Sequence, residues 1–301
     1  MTYAVHHVLT LLAALSAMAA MLRSRLPWRA PRTSLLIWQA TGLTLVLSVI
    51  GAALALGLAP YRLGIVPALV AFTRDLTGGP LPAALTPLHL LLTAGGIAVT
   101  GWVVAAFARS VRSVAALRRR QRSLLGLIAR PHPELAEALV VDHPAVAAYC
   151  VPGRRSAIVV STGSLDLLTE QEMRAVLAHE RAHARERHDL VILPFAALYR
   201  AFPASRHLRA VLDAVALLVE MRADDHAARQ NGHLAAALRR FRTCERLVPP
   251  PGTLGGTGHD LDARIGRLAT PARVSWQVRG LLLVIAVTVA STPLSLFLLP
   301  L

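Results

Sequence analysis

Four stretches of the chain are almost without polar interruption: residues 3–22, 35–59, 85–108 and 280–301. Each has about the 20 residues that a helix needs to cross the hydrocarbon core of a bilayer. A further apolar run, 63–72, is too short to span. Past the third stretch the pattern changes. Residues 111–128 mix arginines with apolar positions and predict a basic helix that either lies on the membrane surface or continues the third span. Short strand-like runs at 139–141, 146–150 and 158–161 are divided by Asp142-His143-Pro144 and Val151-Pro152-Gly153, which predicts a small antiparallel sheet.

A helical pattern follows the sheet. Thr169 with Glu172 three residues later is a capping box, and Met173, Val176 and Leu177 give the helix a buried face as far as about His188. The run 190–199, broken by Pro194, is the length of a core helix or a membrane-touching piece. A second long helix is expected over 206–230, stopped by Asn231-Gly232. Residues 248–258 are rich in proline and glycine and read as a loop, and a short helix over 261–268 leads to the last span. The expected architecture is an α-helical multi-pass membrane protein with about four transmembrane helices and an α+β domain. Residues 1–108 form a membrane domain with three spans, 109–279 the inserted domain and 280–301 the fourth span.

Charge orients this arrangement. The chain is 54% hydrophobic with a formal net charge of +15, and every basic residue is arginine. The arginines gather at the ends of apolar stretches, as membrane topology requires, so direct nucleic-acid binding is not expected. Arg23, Arg25, Arg29 and Arg32 follow the first span with no basic residue before it, which marks an uncleaved anchor with its N-terminus outside. Arg109, Arg112, Arg118, Arg119, Arg120 and Arg122 follow the third span and place the inserted domain in the cytoplasm. The fourth span then returns the C-terminus to the outside of the cell membrane. Cys150 and Cys244 lie far apart without a CxxC pattern and read as two reduced thiols. His6, His7 and His89 fall in or near spans and read as imidazoles facing another helix or near a helix end.

The capped helix carries His179-Glu180-Arg181-Ala182-His183. Histidines four apart project from one helix face and reach two corners of a zinc tetrahedron, while Glu180, about 100° further round, reaches a water without being a ligand. Glu220 on the second long helix supplies the third ligand and water the fourth. One Zn2+ per chain is therefore expected, with Glu180 as the general base that returns its proton to the leaving amine. Asp224, one turn after Glu220, and Asp189, just past the metal helix, are candidates to hold the N–H of a ligand histidine. His188, His226 and His259 are also available, but the spacing His-x-x-Gly-x-x-His after the motif is absent. Tyr199, His226 and Arg222 are the candidates for stabilising an oxyanion.

These residues resemble a known group. Ile158-Val-Val-Ser-Thr-Gly163, Leu165-x-Leu-Leu-Thr-x-x-Glu172, Ala175-Val-Leu-Ala-His-Glu-x-x-His183 and Glu220-x-x-x-Asp224, in that order, look like the gluzincin peptidases of the HtpX/Ste and BlaR/MecR types. Arg264-Ile-Gly-Arg-Leu is similar to a short element these families place after the glutamate helix. Three spans before the domain and one after look like the BlaR/MecR type. The resemblance implies a zincin-like fold, zinc on His179, His183 and Glu220, Glu180 as the catalytic residue and Asp224 in support. It implies a protein substrate, specifically a DNA-binding repressor cut at the cytoplasmic face, with the lipid bilayer as a second partner; homo-oligomer formation is left open. The best-known BlaR/MecR receptors carry an external penicillin-binding domain after the last span. This sequence ends at Leu301, so direct β-lactam sensing is not expected. The alternatives are an HtpX-like quality-control protease and, from another class, a non-catalytic membrane signalling protein with a structural metal.

Overall fold

The computed structural model describes residues 2–133, 135–153, 156–231, 233–244, 261–270 and 274–298. The loop expected over 248–258 and His259 lie outside the described residues. The protein is mostly helical, and four of its helices are long and apolar enough to cross a membrane. It divides into two compact bodies. One comprises residues 1–27, 33–106 and 274–301, the other 28–32 and 107–273.

The first body contains α1 (Thr2–Arg23), α2 (Pro31–Gly57), α3 (Ile65–Gly78), the first half of α4 (Pro87–Ile128) and α11 (Trp276–Leu298). Thr41, Thr44, Ser48 and Gly51 recur at helical spacing along one face of α2, and the three hydroxyl residues are buried. Small and hydroxyl side chains allow close helix approach in an apolar solvent and find hydrogen bonds there. Thr10 and Ser48 share a 2.8 Å hydrogen bond, and Thr44 donates to the carbonyl of Val289 at 3.3 Å. At the start of α4, the backbone N–H of Thr86 donates to His89 Nδ1, so His89 caps its own helix. α4 is a single 42-residue helix, about 63 Å at 1.5 Å per residue. The basic segment 111–128 therefore continues the third apolar stretch without a break.

The second body holds the sheet and the helix that carries His179-Glu180-Arg181-Ala182-His183. Strands β1 (Ala129–His132), β2 (Leu135–Val141), β3 (Ala148–Val151) and β4 (Ala157–Ser161) form one sheet in the order β1-β2-β4-β3. The expectation of an antiparallel sheet is corrected here: β2 and β4 pair in parallel, and the other pairs are antiparallel. The physical reason is position. β4 reads Ala157-Ile-Val-Val-Ser161 and all but its first residue is buried, so it takes the centre, and β3 crosses past it to the edge before turning back. Ile158 and Val160 point to one face, against α6 (Glu170–Arg185), α9 (Leu234–Thr243) and α10 (Leu261–Ala269). Val159 points to the other, with Tyr149, Val151 and Leu125 at the end of α4.

Candidate metal centre

Local chemistry sets the start of α6. The Thr169 hydroxyl accepts from the N–H of Glu172, and the Glu172 carboxylate accepts from the Thr169 N–H at 2.9 Å, so both ends of the capping box are closed. Arg240 of α9 donates to the same carboxylate at 2.9 Å. From this fixed start, the buried face of α6 runs through Val176 and Leu177 to His179, Glu180 and His183. α6 packs on α8 (Arg206–Asn231), which brings Glu220 opposite the two histidines.

His179, His183 and Glu220 converge. His179 Nε2 lies 3.1 Å from His183 Nε2 and 3.3 Å from Glu220 Oε2, and His183 Nε2 lies 3.4 Å from Glu220 Oε1. Ligands bound tetrahedrally at about 2.0–2.1 Å stand about 3.3–3.4 Å from one another, so the three donors already have the spacing of one metal's coordination shell. All three are buried. Two unprotonated nitrogens and a carboxylate facing each other repel unless a proton or a cation lies among them, and each group's ionisation reflects its own neighbours. Burial favours neutral His179, yet Asp224 and Glu220 outweigh it and push the imidazole up to about 9. Burial holds His183 down to about 3, in the neutral form that ligates. Burial also opposes ionised Glu220, but His183 and Arg264 keep its carboxyl well below the usual range. The arrangement can hold a metal ion.

Glu180 stands beside this cluster. The backbone N–H of Cys150 in β3 donates to its carboxylate, while Oε2 is buried with no hydrogen-bond partner among the described residues. Burial first, and then Glu220, push its carboxyl up to about 8. A carboxylate that prefers a proton and has one oxygen uncommitted is suited to accept one from a bound water.

Asp224, one turn beyond Glu220, lies with Oδ1 3.0 Å from His179 Nδ1. Arg264 of α10 sends a fork to Asp224, at 2.9 and 2.7 Å, and its Nη1 lies 3.0 Å from Glu220 Oε2. One buried guanidinium thus balances both carboxylates of the glutamate helix. Nothing in the spacing of Arg264 assigned it that role, because it lies 40 residues past Asp224 on a separate short helix. Asp189 is placed elsewhere: its carboxylate takes Arg118 of α4 at 3.0 Å and Arg187 at 3.5 Å. Arg222 and His226 both bind Glu186, and Tyr199 has Arg209 at 3.4 Å from its hydroxyl. The remaining histidine of interest, His188, meets the far side of His183, Nδ1 to Nδ1 at 3.0 Å.

Residues 112–243 match the family model described as Peptidase family M48. That segment contains the sheet, α6, α8 and all three converging residues, while Arg264 falls beyond it. No curated protein and no solved structure matches the chain. Converging His179, His183 and Glu220, the matched segment and four bilayer-length helices agree, and residues 112–243 are similar to peptidase family M48, consistent with the resemblance to HtpX- and BlaR-type membrane metallopeptidases.

Proposed function

We propose that the protein is a membrane-embedded zinc endopeptidase that cuts protein substrates at the cytoplasmic face, and that its role is signal transduction by cleavage of a DNA-binding repressor. The observation that carries the reading is the 3.1–3.4 Å triangle of His179, His183 and Glu220 beside an uncommitted Glu180 oxygen. Two imidazoles and one carboxylate are the donor set of a catalytic zinc site with an open fourth position. The arginines that follow the third apolar stretch support the cytoplasmic side. The span order, three before the domain and one after, supports the signalling role.

Zinc held by these three residues supplies Lewis acidity, making water acidic near neutral pH and polarising the scissile carbonyl. The protein's own groups do the rest. Glu180 Oε2 receives the proton of the attacking water and passes it to the leaving amine. Asp224 Oδ1, 3.0 Å from His179 Nδ1, favours the tautomer with the proton on Nδ1, which leaves Nε2 unprotonated toward the cluster. Arg264 keeps Asp224 and Glu220 ionised and in place.

Comparison of cleaved proteins in cells expressing the wild type or Glu180→Gln tests the role. One or two discrete substrates, a repressor among them, are expected only with the wild type. A broad set of membrane-protein fragments would replace the signalling role with quality control. Identical profiles in the two strains would contradict the peptidase itself.

A further inference from the structure

His179 has a partner for its outer nitrogen in Asp224; the equivalent nitrogen of His183 meets another histidine. We infer that His188 and Glu186 form an imidazole–carboxylate relay that fixes the tautomer and ring orientation of His183, doing for the second histidine what Asp224 does for the first. The inference rests on the zinc reading of the His179, His183 and Glu220 cluster.

The proton inventory closes in only one way. His183 Nε2 faces His179 and Glu220, so as a ligand it carries no proton, and the ring's proton sits on Nδ1. That Nδ1–H points at His188 Nδ1, 3.0 Å away, which must then be the acceptor. His188 accordingly carries its proton on Nε2, and Nε2 lies 3.3 Å from Glu186 Oε2, an acceptor. The chain ends on a carboxylate that is itself anchored. Arg222 grips both of its oxygens, with Nε donating to Oε2 at 2.8 Å, and His226 Nε2 lies 2.6 Å from Oε1. Every donor therefore has its acceptor from the metal cluster to the protein surface.

The backbone is built to make this contact. Arg187, between α6 and α7 (His188–Ala201), has φ 50° and ψ 47°, a left-handed conformation that residues with side chains adopt infrequently. That turn ends α6 and folds the next residue back under it. His188, five residues after His183, is thereby fully buried edge-on to the ligand ring, with centroids 4.8 Å apart. A regular helix would put the position five residues on well round from His183, so the contact depends on the turn. His188 meets His183 on the nitrogen turned away from His179 and Glu220, so His188 and Glu186 are positioning residues, acting through His183.

The test uses the full chain purified in detergent and titrated with zinc against a chromophoric chelator. His188→Leu is expected to weaken zinc binding about 10–100-fold, the usual effect of removing a group that orients a ligand. It should also alter the absorption bands of the cobalt-substituted protein, while the metal-free form melts like the wild type. His188→Asn, whose amide oxygen can stand near the Nδ1 position, should recover most of the loss. Wild-type affinity and an unchanged cobalt spectrum in His188→Leu would overturn the relay. If the leucine variant does not fold, Glu186→Gln decides: weaker zinc binding supports the relay, and unchanged binding overturns it. His183→Ala is the control for the site itself. Failure of the wild type to bind zinc would overturn the metal reading, whereas zinc bound by the wild type, lost in His183→Ala and unaffected in His188→Leu would overturn the relay alone.

Discussion

His7 and His183 are both fully buried, yet they live in opposite chemical surroundings. His7 lies in α1 of the first body. Neither ring nitrogen has a hydrogen-bond partner among the described residues, the ring packs edge-on to Phe297, and a Cβ at Gly51 would stand 2.3 Å from it. Gly51 is glycine because the imidazole fills the space a side chain would need. His183 lies in α6 of the second body, where one nitrogen faces His179 and Glu220 and the other faces His188. Burial alone therefore says little about function. A buried imidazole among apolar neighbours works as a space-filling ring with an unmet polar cost. The same ring with a donor set on one side and another histidine on the other is placed to serve as a ligand.

Four substitutions or conditions sharpen that contrast. The largest effect is expected at the proposed ligand: His183→Ala should lower zinc affinity by more than the roughly 10–100-fold typical of losing an orienting group. Chelator competition checks it, and wild-type affinity would put His183 in the same class as His7. Arg264→Met comes next. It leaves Asp224 and Glu220 buried without their guanidinium, and breaking a buried pair from one side costs about 3–5 kcal/mol. The thermal midpoint of the metal-free chain in detergent should fall accordingly.

Acid should act through Glu186. Burial favours its neutral form, but Arg222 and His226 outweigh that and hold its carboxyl down to about 2. A carboxyl lowered on folding contributes stability that is complete above its unfolded value near 4.3 and is lost as the pH falls toward about 2. With Glu186 29% exposed, the contribution discounts to about 1–2 kcal/mol. Melting between pH 5 and pH 2.5 should show that loss in the wild type and a shallower one in Glu186→Gln. The smallest effect is at His7. His7→Leu removes two unpartnered nitrogens and should leave stability unchanged or raise it by about 1 kcal/mol, with zinc affinity unaltered. A loss of several kcal/mol would show that the imidazole has a polar role.

Much of this was legible before the structure, because it is written in local patterns. The capping box at Thr169 starts α6, the apolar stretches mark α1, α2 and α11, and His-Glu-x-x-His sets two donors on one helix face by spacing alone. What was not legible depends on non-local geometry. The parallel pairing of β2 with β4 follows from which strand takes the sheet centre, and nothing inside a single strand reports that. Asp189 follows the metal helix closely in sequence, but the left-handed turn at Arg187 directs His188 to His183 and leaves Asp189 to Arg118. Arg264 reaches the cluster from a helix beyond the stretch expected as a loop, so no periodicity links it to Glu220 or Asp224.

We propose a hydrolytic centre on His179, His183 and Glu220 with Glu180 as its base. Its most direct test is proteolysis by the purified chain, wild type beside Glu180→Gln, with zinc content measured on the same samples. Both proteins should hold about one zinc per chain, since we propose Glu180 as a base and not as a ligand, and the substitution should cut casein cleavage or self-cleavage by about 10²–10⁴-fold. Equal activity in the two proteins, or loss of zinc in Glu180→Gln, would contradict the account.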